Sequence, residues 1–145
     1  MATPNAALAA EIRIAILEHP EHHDQQFYID GVDLLTPGDS LAEGTRPGCG
    51  TTLCVAGFAA YLTGYTIVRL STDPREDTVL AYQRGKDSGF LAGVARTELG
   101  LSVVDADWLF SGLRIRDEVL AALGQLADGA AHINVAAFTP RRSPA

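Results

Sequence analysis

Thr51-Thr52-Leu53-Cys54-Val55-Ala56-Gly57-Phe58-Ala59-Ala60-Tyr61-Leu62-Thr63 is the stretch whose reading decides the fold. Thr51 and Thr52 are helix-capping residue types, and the small apolar residues after them leave almost no polar face. The expectation is a buried central helix over 51–63, stopped by Gly64. Just upstream, Gly48 and Gly50 flank Cys49. That places a thiol at or before a helix N-terminus, where amide groups and the helix dipole favour an anion.

Outward from this segment, helical spacing prevails. Thr3 with Pro4 predicts the start of a first helix, carried by Leu8, Ile12, Ala15, Ile16 and His19 and stopped by Pro20. Glu21 to Tyr28 reads as a second short helical turn. Asp30 to Gly48 is rich in Gly, Pro, Asp and Ser and reads as a long loop. After Gly64 the residue types change. Thr66–Leu70 and Thr78–Tyr82 are β-branched and aromatic, and a turn-rich connector separates them, which predicts a β-hairpin. Ser88 is expected to cap a helix over 89–99, with Gly100 as its left-handed stop and Leu101 folding back. Ser102 with Asp105 predicts the cap of a further helix carrying Trp108, Leu109 and Phe110. A last helix is expected over 113–126, buried through Ile115, Val119, Leu120 and Leu123 and ended at Gly129. His132 to Val135 reads as a short strand or an ordered tail. The predicted fold is mainly α (α+β): a compact bundle of four to five helices around the central apolar helix, with a small hairpin. One domain covers 1–138 and a disordered tail covers 139–145.

A chain of 145 residues with 47% hydrophobic content buries a core without a covalent staple. Its formal net charge of −7 argues against a nucleic-acid partner, whose phosphates need Lys and Arg. The same charge suits a basic protein surface. No apolar run approaches a membrane span, and Met1–Asn5 lacks the basic-then-apolar order of a signal peptide. Two cysteines without an export signal read as cytoplasmic thiols.

Three blocks carry a resemblance: His19-Pro20-Glu21 with Gln25, Gln26 and Phe27; Cys49-Gly50-Thr51 with Cys54, Ala56, Gly57, Phe58 and Ala59; and Ala95-Arg96 with Leu99-Gly100-Leu101, Ala106-Asp107 and Leu109-Phe110. In this order they resemble a family of small uncharacterised proteins of actinobacteria and their phages. This chain departs in Phe27 and Phe58, where tryptophans would stand, and in an insertion from about Tyr28 to Gly48. The resemblance implies a mainly helical cytosolic protein of actinobacterial or phage origin, and no particular activity.

The residues themselves leave several chemistries open. Cys49 is a candidate nucleophile with His132 as base and Asn134 or Asp128 as orienter, although no upstream Gln supplies an oxyanion hole. Cys49 and Cys54 with two of His19, His22 and His23 would make an S2N2 set of the kind zinc takes. The five-residue step and the apolar neighbours of Cys54 do not favour it, and no cofactor is expected. Under this reading His22 and His23 are solvated surface residues. The two thiols are also a candidate redox pair. Phe90 to Ser102 resembles the start of a helix-turn-helix, but Val103, Val104, Asp105, Ala106, Asp107 and Trp108 offer nothing to read base edges. The preferred expectation is therefore binding to a protein partner rather than turnover. The expected docking segment is the 30–48 loop, through Asp33, Leu34, Leu35, Asp39, Leu41 and Glu43. Its leucines could equally pack on the protein's own core.

Overall fold

A computed structural model describes residues 3–41, 51–70, 78–86 and 88–137. Helix α1 (Ala6–Glu18) opens at Asn5, whose side chain accepts the Leu8 amide at 3.1 Å. Asn5, not Thr3, is the cap, because an amide side chain two residues nearer reaches the free N–H groups of the first turn. Leu8, Ala9, Ile12 and Ile16 bury one face. His19 closes the helix, and Pro20 begins a 3-10 turn over Pro20–His22. The expected second helix goes no further than this turn.

The chain then enters two short strands, β1 (Ile29–Asp30) and β2 (Leu34–Leu35). Strand β3 (Thr52–Leu53) precedes helix α2 (Val55–Leu62). Strands β1 and β3 pair antiparallel, Ile29 opposite Leu53 and Asp30 opposite Thr52. The central helix is thus shorter than expected, because Thr52 and Leu53 are spent on a strand. Its burial is as expected: Val55 through Ala60 are all buried. Gly57 admits a close neighbour, and that neighbour is the backbone just ahead of β1 and not a helix. A Cβ at Gly57 would lie 2.5 Å from the Tyr28 carbonyl oxygen.

Strands β4 (Thr66–Arg69) and β5 (Val79–Tyr82) form the expected antiparallel hairpin. Strand β6 (Gly89–Phe90) adds to β5, and β2 adds to β4, giving an antiparallel sheet in the order β2-β4-β5-β6. Helix α3 (Leu91–Leu99) follows β6 directly and stops at Gly100, φ +68°. The Leu101 amide donates back to the Arg96 carbonyl at 3.1 Å, and Leu101 is buried. Helix α4 (Val103–Leu109) starts where Ser102 accepts the Asp105 amide at 3.2 Å. Helix α5 (Arg116–Ala127) starts where Glu118 accepts the Ile115 amide at 3.1 Å, so Ile115 stays outside the helix and exposed. The stretch after Gly129 ends in a 3-10 turn, Val135–Ala137.

Helix α1 packs along α5, α2 packs on α3, and α2 and α3 cover the inner face of the four-stranded sheet. The helix-bundle expectation is therefore overturned: the fold is α+β, with five helices, a two-stranded sheet and a four-stranded sheet among the described residues. The strands that change the class are two residues long, too short for alternation to register in the sequence. Among the described residues no helix is long and apolar enough to cross a membrane.

Candidate functional site

Cys49 and Glu43 lie outside the described residues. Cys54 is the residue just before α2, and it is buried. Burial pushes its thiol up to about 12, so it is protonated and unreactive at neutral pH. His132 is exposed and bonds Asp105, Nδ1 to Oδ2 at 3.0 Å. Asp105, rather than Asn134 or Asp128, is the partner of that nitrogen; the Asn134 backbone amide and carbonyl bond the Gln125 side chain, and Asp128 closes α5. Asp105 is itself buried and also accepts the Ile133 amide at 3.4 Å. The aspartate of the α4 cap thus secures the chain after α5. The exposed residues of α4, Val103, Val104 and Asp107, offer a nucleic acid only apolar and acidic groups.

His23 is a buried polar centre rather than a surface residue, with 6% of its area exposed. Arg116 Nε is 3.3 Å from His23 Nδ1. A guanidinium can only donate, so Nδ1 accepts and Nε2 carries the proton. Nε2 then donates to Gln25 Oε1 at 3.0 Å. The same Oε1 accepts the Val55 amide at 3.3 Å, which gives α2 the cap that Cys54 does not supply. Gln25 Nε2 donates to the Leu109 carbonyl at 2.6 Å and the Ser111 carbonyl at 3.3 Å. Arg116 also donates to the Pro20 and His23 carbonyls. Burial, and then the Arg116 charge, pull the His23 pKa below its usual 6.5. Both of its ring nitrogens are engaged, so this clasp holds four segments together and leaves no free base. An open polar cleft of about 580 Å³ lies over it, lined by His23, Asp24, Gln25, Thr52, Arg114 and Arg116 among others. No spacing signal predicts it, because Gln25 meets residues 84 and 86 positions away.

The docking residues divide. Leu35 is buried in β2, and Leu41 is half-buried against the core. Asp39 is exposed, but its carboxylate accepts the Thr36 amide and hydroxyl, both at 2.8 Å. Those two bonds, backbone first, hold its pKa below the usual carboxylate value. Asp33 and Leu34 remain outward.

Leu34 belongs to a larger surface. It stands opposite Val68, Val68 opposite Leu80, and Leu80 opposite Phe90. Cross-strand partners share a sheet face, so these four form one apolar row across all four strands. The row lies on the side away from α2 and α3, since the neighbouring positions Leu35, Ile67 and Ala81 are the buried ones. Its ends are open: Leu34 is 55% exposed and Phe90 66%. Thr66 and Tyr82 face each other in the next outer row, and Leu70 continues β4 beyond Val68; Tyr82 and Leu70 are exposed. Phe90 also lines a groove of about 650 Å³ at the start of α3, with Lys86, Gly89 and Gly93.

No family model, curated protein or solved structure matches this chain.

Proposed function

We propose that this chain is a cytoplasmic binding protein that takes a protein partner on the outer face of its four-stranded sheet and performs no turnover. The Leu34–Val68–Leu80–Phe90 row is the observation that carries this reading. A contiguous apolar stripe facing solvent costs free energy unless something covers it. Aromatic residues such as Tyr82 and Phe90 are also enriched at protein interfaces. No Lys or Arg occupies the outer positions named above, which disfavours nucleic acid. The net charge of −7 favours a partner with a basic rim, and exposed Asp33 stands next to Leu34. The resemblance to small actinobacterial and phage proteins is compatible with such an adaptor, acting in a phage or mobile-element setting.

The test is site-specific photo-crosslinking. A photoreactive amino acid at Leu80, the middle of the row, should capture a distinct protein in cells of the source. The same group at Asp117, exposed on α5, should not. Leu34→Asp with Phe90→Asp should abolish the capture and leave the fold intact. Capture of a second copy alone would replace the partner with self-association. Capture that survives the double substitution would remove the sheet face from the function. A hydrolase or thiol-transfer activity lost in Cys49→Ser would overturn the binding reading in favour of a Cys49 and His132 enzyme.

A further inference from the structure

We propose that His19, Glu21 and His22 form a site for one divalent transition-metal ion of the zinc class, with a coordination position open to solvent. The three side chains stand on the turn that closes α1. Glu21 Oε1 lies 3.0 Å from His19 Nδ1 and 3.9 Å from His22 Nε2. All three ligand atoms fall within 4.8 Å of one another. A tetrahedral ion with bonds of about 2.0–2.1 Å holds its ligand atoms about 3.3–3.4 Å apart. The two edges to Glu21, 3.0 and 3.9 Å, bracket that value, and rotation of the exposed His19 and Glu21 side chains can adjust the third. The backbone of the turn is already tied down. The His22 amide donates to the His19 carbonyl at 3.0 Å, the His23 amide to the Pro20 carbonyl at 3.1 Å, and Arg116 ties down the Pro20 carbonyl.

The ligands differ usefully in freedom. The His22 side chain is only 16% exposed and is the fixed ligand, whereas those of His19 and Glu21 are about 60% exposed and can adjust. Two imidazoles and one carboxylate are a donor set that zinc takes, and hard cations such as magnesium do not. The α1 C-terminus adds partial negative charge on the same side as the ligands. Arg116 is the cation tied to this turn: its Nε donates to His23 Nδ1 and its Nη2 to the Pro20 and His23 carbonyls. This site is separate from the sheet face, and it does not use the cysteines weighed for zinc above.

The test uses the metal-free full chain titrated with Co²⁺ and Zn²⁺, followed by calorimetry and visible absorption. One ion should bind per chain, with the d–d bands of nitrogen and oxygen ligation and no thiolate charge-transfer band. His19→Ala and His22→Ala should each weaken binding about tenfold or more. His132→Ala, at another exposed histidine, and Cys49→Ser should bind as the parent does. Magnesium should not compete. Far-UV circular dichroism of each variant checks that the fold is kept. Absence of saturable binding would overturn the proposal, as would equal binding by the His19→Ala/His22→Ala double variant. A thiolate band lost in Cys49→Ser would move the metal to the cysteine segment and overturn it too.

Discussion

Gly57 and Gly100 show at single residues how close packing constrains this chain. At Gly57 a methyl group would meet the Tyr28 carbonyl oxygen at 2.5 Å and Leu53 at 3.0 Å. Leu53 is held by the β1–β3 pairing and the Tyr28 carbonyl accepts the Cys54 amide, so relief requires backbone movement. Gly57→Ala should therefore destabilise by about 1–3 kcal/mol, read as a lower midpoint in urea denaturation. An unchanged midpoint would mean that the strand yields. Gly100 carries the left-handed conformation that ends α3, and a Cβ there would also collide with the Thr3 carbonyl. His23 gives a pH signature. Its folded pKa lies below the unfolded value of 6.5, so in between the unfolded chain binds more protons than the folded one. Stability is full above pH 6.5 and is lost as pH falls from 6.5 to the folded pKa. His23→Gln should flatten that part of the stability–pH curve, and an unchanged slope would show that His23 is not its source. Cys54 should be inert to a thiol reagent in the native state, because its thiol is buried and held near 12. A fast-reacting thiol in the Cys49→Ser variant would contradict that burial.

At the scale of elements, β2 is two residues long and yet divides inside from outside. Leu35 is fully buried opposite Ile67, whereas Leu34 is exposed opposite Val68. Leu35→Ala should cost about 2–5 kcal/mol, as for other buried leucines. Leu34→Ser should change stability by no more than about 0.5 kcal/mol. Equal costs would contradict the register. The same strand means that removing residues 33–42 would strip an edge from the sheet, so this segment is not a detachable loop. Gln25 plays a comparable part between elements: it caps α2, holds His23 and ties both to the end of α4. Gln25→Ala should leave the Val55 amide and the Leu109 carbonyl without their partner and cost about 1–3 kcal/mol by chemical denaturation. The hairpin β4–β5 was legible because Thr66, Ile67 and Val68, and then Thr78, Val79 and Tyr82, concentrate β-branched and aromatic side chains on either side of a turn-rich connector. Strands β1, β2, β3 and β6 were not, since a two-residue strand exists only through its partner.

For the whole molecule, α2 and α3 lie on one side of the four-stranded sheet, and no described helix packs on its other side. The binding proposal belongs to this scale, because the row is built by four strands drawn from residues 34 to 90. Leu34→Asp with Phe90→Asp should lower partner capture to background with a melting temperature close to the parent's. Loss of fold in that variant would show that the row packs against something within the chain. The docking expectation placed on the 30–48 segment narrows to Asp33 and Leu34, and its other described members serve the protein's own core and turns.

The sequence by itself determined the local features: the Pro20 stop after α1, the Gly100 stop, the Ser102 cap, the buried face of α2 and the β4–β5 hairpin. Each depends on residues within about a turn or a strand of one another, where spacing and cap chemistry act directly. Only the tertiary structure decided the fold class, the burial of His23, and the apolar row. Those depend on which segments meet across the chain. Two-residue strands gain their hydrogen bonds from distant partners, and a histidine is a surface group or a core clasp according to whether residues such as Gln25 and Arg116 are brought to its two nitrogens.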